Sequence, residues 1–113
     1  MPTVQPGATD FITQVYGTVF ADRARVVERL AVGERIILVP DPPAVEEPLV
    51  WVHAIGGDVV GHLSPQVSAW LAPALLGGTR CGAVVHAVAA AGTESWQRLQ
   101  VRVHCLPSTV EGP

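Results

Sequence analysis

The sequence predicts a mainly β (α+β) fold, a small OB/SH3-like barrel of six strands with two short helices. Six segments rich in β-branched, aromatic or alternating apolar residues are separated by Gly- or Pro-containing turns. Two further segments carry apolar residues at helical spacing. With 113 residues, 49% of them hydrophobic, we expect a single domain over residues 10–107 and flexible termini at 1–9 and 108–113.

The first half of the predicted fold runs strand, helix, strand. Residues 11–20 (FITQVYGTVF) favour a first strand because β-branched and aromatic residues dominate them. Residues 21–33 (ADRARVVERLAVG) have one apolar helical face, with Asp22 as the predicted N-cap and a closing glycine. Residues 34–40 form the second strand. The acidic, proline-rich segment 41–48 that follows is a loop, since proline is excluded from a sheet interior.

A hairpin and a helix occupy the next part of the chain. Residues 49–55 and 59–63 are two strands joined by a Gly-Gly-Asp turn, the clearest hairpin in the sequence. Ser64–Pro65 predicts a helix start, with serine as N-cap and proline in the first helical position. Because Pro73 removes a helical N–H, we expect this helix to end or kink near Leu71.

The last two predicted strands are residues 80–91 and 95–106, which flank a Gly-Thr-Glu turn. Side chains alternate across the final strand, as expected where one face of a sheet is buried. The inward set is Leu99, Val101, Val103 and Cys105, and the outward set is Arg98, Gln100, Arg102 and His104.

Cysteine usage and apolar patterning predict the compartment. Cys81 and Cys105 form no CxxC pair, the N-terminus does not resemble a signal peptide, and no apolar run is long enough for a membrane span. We therefore expect a cytoplasmic protein without membrane contact. In a reducing compartment, both cysteines are expected to be buried thiols rather than a disulfide.

Charge and motifs narrow the function classes. The net charge is −3 and all seven basic residues are arginine, so the strongly basic footprint of a non-specific DNA-coating protein is absent. No phosphate-binding glycine loop, GxSxG elbow or paired-carboxylate motif appears, and the histidines lack HxH or HxxxH spacing. These observations predict a protein that is not an enzyme and holds no metal or cofactor.

Two pairs of side chains are candidates for contacts with nucleic acid. Arg98 and Arg102 project from one face of the last strand, either as a solvated face or as a stripe that contacts phosphates. Phe20 and Tyr16 share one side of a regular first strand, either as core residues or as a base-stacking platform. The sequence leaves both alternatives open.

His62 lies between the predicted hairpin and the predicted helix start. One interpretation is a half-buried imidazole that hydrogen-bonds locally. The other is contact with a ligand, because free N–H groups at a helix start bind anions and His62 would lie beside such an anion.

The order of these features resembles the HIRAN domain family. The similarity lies in VYGTVF, LAVGERIILVPDP, PLVWVHAIGGDVVGHLSP and WLAPAL, which together span about half of the chain from Val15 to Ala74. The family pattern contains a first strand that ends in glycine and an aromatic residue. A "G-x-x-V-G-h/y-l" hairpin and an apolar helix come later in that pattern, and GGDVVGHL matches the hairpin.

The resemblance implies an OB-like barrel that binds single-stranded DNA, in particular a free 3′ end. It implies that Phe20 stacks on a base, that His62 faces the ligand and that Glu46 replaces an aspartate that holds the terminal nucleotide. A helicase or nuclease partner would be a separate protein, because this chain has no helicase motif. The alternative is a diverged protein-interaction or dimerisation module, such as a homodimer, since only 15% of the residues are charged.

Overall fold

Six antiparallel strands form one curled sheet in the computed structural model, which describes residues 4–90 and 92–106. The strands are β1 (Asp10–Gln14), β2 (Arg35–Pro40), β3 (Val50–Ala54), β4 (Val59–His62), β5 (Cys81–Val88) and β6 (Leu99–Cys105). The helices are α1 (Arg23–Glu28) and α2 (Pro65–Leu76), with a 3-10 turn at Ser95–Gln97. The predicted mainly β class with six strands and two helices is confirmed. Residues 1–3 and 108–113 of the predicted flexible termini, and residue 107 at the end of the predicted domain, lie outside the described residues.

The sheet order β1-β6-β5-β2-β3-β4 curls until its two ends meet at a seam between Tyr16 and His62. The N–H of Tyr16 donates to the carbonyl of His62 at 2.7 Å, and the N–H of His62 donates to the carbonyl of Tyr16 at 3.0 Å. Gly61 allows this approach, because a Cβ there would lie 2.3 Å from the Tyr16 carbonyl oxygen. The glycine before His62 is therefore a requirement of the seam.

The concave face of the curled sheet and one side of each helix enclose the core. On β6, Leu99, Val101, Val103 and Cys105 are buried, which confirms the alternation predicted from the sequence. Helix α1 packs on β4, whereas α2 packs on β2 and β3. The buried apolar residues from the helices are Val26, Val27, Val67, Leu71 and Ala72.

Helix α2 begins as predicted but ends later. Ser64 accepts a hydrogen bond from the N–H of Val67 at 3.2 Å, and proline occupies the first helical turn. The helix continues through Pro73 to Leu76, so the predicted end near Leu71 is wrong. Proline deprives the carbonyl of Ala69 of its helical partner, but both residues are exposed, so water can replace that bond. No helix among the described residues is long and apolar enough to cross a membrane.

Ser68 ties α2 to the sheet. Its buried hydroxyl accepts from the N–H of Val50 at 3.0 Å and donates to the carbonyl of Leu63 at 3.4 Å. We expect Ser68→Ala to lower the free energy of unfolding by about 1–3 kcal/mol, because the buried N–H of Val50 loses its partner. Urea unfolding measures this loss, and Ser68→Thr, which keeps a hydroxyl, is the comparison variant. Equal stability of the alanine variant and the wild type would show that the bond contributes nothing.

The first strand is shorter than residues 11–20. It ends at Gln14, and Gly17 then adopts φ +73°, a left-handed conformation that interrupts extended backbone. Phe20 consequently lies in a turn and not on a regular strand with Tyr16. The predicted N-cap Asp22 precedes α1 in sequence but makes no side-chain capping bond.

Cys81 and Cys105 form a disulfide, so the prediction of two buried thiols is wrong. The reason is the register of the β5–β6 hairpin. A bulge between Val85 and Ala87 shifts the pairing by one residue, and Cys81 then lies directly opposite Cys105, with a Cα–Cα distance of 3.9 Å. Without the bulge, the register at the turn end of the hairpin would pair Cys81 with Leu106 instead.

Candidate functional site

Three rings lie side by side on the convex face of the sheet at the seam. Trp51 of β3 is directly opposite His62 of β4, and His62 is bridged to Tyr16 on its other side. The Trp51 and His62 rings meet edge to face with centroids 5.4 Å apart, and the Tyr16 and His62 rings stack at 6.3 Å. The register of the strands therefore builds a row of aromatic side chains across the seam.

Phe20 and Arg23 join this row from the connection between β1 and α1. The Arg23 guanidinium carbon lies 5.7 Å from the Phe20 ring centroid and 5.4 Å from the Trp51 ring centroid. Its Nη1 donates to the carbonyl of Gly17 at 3.0 Å, which fixes the side chain between the two rings. We call Tyr16, Phe20, Arg23, Trp51 and His62 the aromatic–arginine cluster.

The imidazole of His62 has a defined tautomer in its neutral form. Nδ1 lies 3.0 Å from the carbonyl oxygen of Leu63, which only accepts, so Nδ1 carries the proton and Nε2 is the free acceptor. A Cβ built on Gly17 would lie 3.3 Å from His62 Nε2 and 3.2 Å from Arg23 Nη1. The lack of a side chain at Gly17 thus leaves a small space into which an arginine N–H and the His62 ring both reach.

Asp41 supports the cluster from the start of the acidic loop. Its Oδ1 accepts from Trp51 Nε1 at 2.9 Å, and its Oδ2 accepts from the N–H of Leu49 at 3.0 Å. The N–H of Asp41 in turn donates to the Leu49 carbonyl at 2.9 Å. One carboxylate therefore closes the base of the loop and orients the indole ring against Arg23 and His62.

Phe20 is presented to solvent at the front of the cluster. Its side chain is 62% exposed, and the preceding Val19 is 59% exposed. Ala21, which follows, adopts φ +52°, and a non-glycine residue in this left-handed region costs about 1–2 kcal/mol. Unfavourable backbone geometry of this kind concentrates at functional sites. The fold thus accepts both a strained alanine and an exposed aromatic ring at the same place.

The other residues predicted for the site lie elsewhere. Glu46 is exposed in the loop between β2 and β3. Arg98 precedes β6 and donates to the carbonyl of Ala89 across the hairpin. Arg102 projects from the convex face of β6 and pairs with Asp10. Among the described residues, none of the three makes a hydrogen bond, an ion pair or a cation–π contact with the cluster, whereas Phe20 and His62 both belong to it.

The Arg102–Asp10 pair is bidentate. Arg102 Nε donates to Oδ1 at 2.9 Å and Nη2 donates to Oδ2 at 2.7 Å. These hydrogen bonds lower the pKa of Asp10 below its ordinary value of 3.8 and outweigh desolvation, which raises it; the charges of Arg102 and His104 lower it further. Arg102 is thus partly neutralised.

Because the folded-state pKa of Asp10 is depressed, its contribution to stability is complete above 3.8 and is lost as the pH falls through the lowered value. We expect Arg102→Gln to raise the pKa of Asp10 back towards 3.8. An NMR titration of the Asp10 carboxyl carbon in both proteins measures this change. An identical Asp10 pKa in the variant would rule out Arg102 as the cause.

Sequence reasoning did not identify Arg23, Trp51 or Asp41 as site residues. The position of Trp51 could have been inferred from strand alternation. Val50 and Val52 on either side are buried, so the side chain between them points to the opposite, outer face of the sheet. No sequence pattern identifies Arg23 and Asp41, since their roles depend on contacts that form only when the loop, α1 and the seam come together.

No group of three or more His, Cys, Asp or Glu side chains that could hold a metal ion occurs in residues 4–90 and 92–106. Comparison with models of protein families, with curated proteins and with solved structures finds no match to this chain.

Proposed function

We propose that this domain is a non-catalytic, HIRAN-like module that binds single-stranded nucleic acid, in particular single-stranded DNA and its 3′ ends, at the aromatic–arginine cluster. The observation that carries the proposal is the exposed ring of Phe20 beside a guanidinium and an aromatic row. Aromatic faces that stack on bases and a nearby cation for the backbone are the two components of single-strand recognition.

The chemistry of the cluster determines what kind of binding to expect. Each base stacked on an aromatic side chain contributes about 1–3 kcal/mol. Arg23 is the one arginine of the cluster, and the chain has a net charge of −3, so phosphate attraction is small. Each phosphate contact to a single strand contributes about −0.7 to the slope of log K against log salt. We therefore expect modest affinity with a shallow salt dependence and no discrimination by base-edge hydrogen bonds.

Phe20→Ala is expected to weaken binding of a fluorescein-labelled oligothymidylate by about fivefold to a hundredfold, the equivalent of one lost stacking contact. The fold should survive, because the ring is mostly in solvent. His62→Ala should also weaken binding without unfolding, since the seam uses the backbone of His62 and not its ring. Fluorescence anisotropy at low and moderate salt measures both effects.

Trp96→Ala is the matched control, because Trp96 is also an exposed aromatic residue, 39% exposed, but lies in the 3-10 turn before β6. It should bind like the wild type. Equal losses in Phe20→Ala and Trp96→Ala would show non-specific stacking, and no binding by the wild type at low salt would overturn the proposal.

A second candidate is a homodimer or another protein-interaction module. The adjacent side chains of Val19 and Phe20 form an exposed apolar patch, which a second copy or a partner protein can cover. This alternative predicts a dimer in sedimentation that Phe20→Ala converts to monomer, together with no affinity for oligonucleotide. The same variant thus separates the two functions.

The proposal places the domain in the cytoplasm, as a partner of a separate helicase or nuclease. Glutathione and thioredoxin keep most cytosolic thiols reduced, so the domain would have to work there without the Cys81–Cys105 disulfide. Oligonucleotide binding is therefore to be measured with and without reductant. Loss of binding on reduction would show that binding requires the disulfide and would contradict function in a reducing cytoplasm.

A further inference from the structure

A groove lies on the convex face of the sheet, over β2, β5 and β6. Its volume is about 480 Å³, and it is open to solvent. The alternation of strands explains its lining, because positions 80, 82 and 84 on one strand share a face with 102 and 104 on the next. We call it the arginine groove, and its polar and central residues are Arg35, Arg80, Gly82, Val84, Arg102 and His104.

Positive charge is concentrated in this groove. Arg35, Arg80 and Arg102 contribute three positive charges and Asp10 offsets one, in a chain whose net charge is −3. The side chains of Arg35 and Arg80 are exposed and make no hydrogen bond or ion pair to the described part of the chain. Their guanidinium groups are therefore available to an anion, whereas Arg102 is held in place by Asp10.

The floor between these arginines is open. Val84 lies directly between Arg35 and Arg102 in the register of the three strands. Arg80 lies just before β5 on the same face as Val84, four residues away, so the long side chains of Arg35 and Arg80 can reach one ligand from two sides of the groove. Next to this row, a Cβ built on Gly82 would meet nothing within 4 Å. The groove thus combines cations at its rim with a floor of small and apolar side chains.

We propose that the arginine groove binds the phosphate group of a small phosphate-bearing molecule. Arg35 and Arg80 contact the phosphate oxygens through charge-assisted hydrogen bonds, for which the planar guanidinium is well suited. Arg102, oriented by Asp10, lines the side of the groove on β6. The groove lies on β2, β5 and β6 and the aromatic–arginine cluster on β3, β4 and residues 16–23, so this site is independent of the proposed nucleic-acid site.

An NMR titration of the oxidised, full-length chain with inorganic phosphate tests the proposal, with sodium chloride at the same ionic strength as the reference. Adenosine monophosphate and adenosine extend the test, because only the former carries the phosphate group. We expect saturable shifts for the amides of residues 35, 80–84 and 102–106 with phosphate and with adenosine monophosphate, and none with adenosine. Shifts with adenosine alone, or no saturation with either phosphate ligand at millimolar concentration, would overturn the proposal.

Matched charge variants complete the test. Arg35→Gln combined with Arg80→Gln should weaken binding about tenfold or more, because both charged donors are removed. Arg25→Gln combined with Arg29→Gln removes the same charge from exposed positions on and beside α1 and should leave the affinity unchanged. Equal losses in the two double variants would show a general charge effect. The affinity of the Arg35→Gln, Arg80→Gln variant for oligothymidylate reports separately on the aromatic–arginine cluster. It should equal the wild-type affinity.

Discussion

Gly61→Ala is expected to lower the free energy of unfolding by about 3 kcal/mol, at the upper end of what an overpacked core costs. The added Cβ would lie 2.3 Å from the carbonyl oxygen of Tyr16 and 2.7 Å from Cγ1 of Val15. Neither atom can move freely, because Val15 is buried and the Tyr16 carbonyl accepts the N–H of His62. The substitution therefore has to open the seam that joins the two ends of the sheet.

Gly82→Ala is the matched control for this prediction. It is also a strand glycine without a positive φ, but nothing lies within 4 Å of its Cβ position. We expect its stability to equal or slightly exceed that of the wild type, since glycine weakens a strand interior. Urea unfolding followed by tryptophan fluorescence compares the three proteins. Similar midpoints for Gly61→Ala and Gly82→Ala would contradict the close approach at the seam.

Reduction of the Cys81–Cys105 disulfide is expected to lower the free energy of unfolding by about 3.5 kcal/mol. The two cysteines are 24 residues apart, and a crosslink that closes a loop of this length removes a corresponding amount of chain entropy from the unfolded state. The folded state changes little, because the β5–β6 backbone pairing continues along the whole hairpin on either side of the bulge.

Urea unfolding with and without tris(2-carboxyethyl)phosphine measures this difference. The double variant Cys81→Ser, Cys105→Ser is the control, and the reductant should leave its stability unchanged. Non-reducing peptide mapping establishes that the bond is present before the reductant is added. A wild-type midpoint that does not move on reduction would show that the bond does not stabilise the fold.

The fold class was predictable because each element carries its own local pattern. Alternation on β6, the Gly-Gly-Asp turn after β3 and the Ser64–Pro65 helix start are all visible within a few residues of sequence, and the structure contains each of them. The errors arose where tertiary packing outweighs a local rule. Helix α2 continues past Pro73 because Leu75 beyond it packs against the core.

The disulfide depended on a feature that local patterns do not reveal. A bulge adds one residue to one strand without changing the type of residues in it, so the sequence shows the hairpin but not its register.

The candidate site was predictable only in part, because it too depends on tertiary contacts. Phe20 and His62 were recognised individually, whereas Arg23 and Asp41 became site residues through contacts between distant segments.

Nucleic-acid binding at the aromatic–arginine cluster is best tested by mapping amide shifts on addition of oligothymidylate to the isotopically labelled protein. We predict saturable shifts for residues 16–23, for Trp51 and its indole N–H, and for His62, with little change in the arginine groove. The indole is informative because it already donates to Asp41 beside the cluster. Absence of shifts at low salt, or saturable shifts confined to other surfaces, would contradict nucleic-acid binding at the aromatic–arginine cluster.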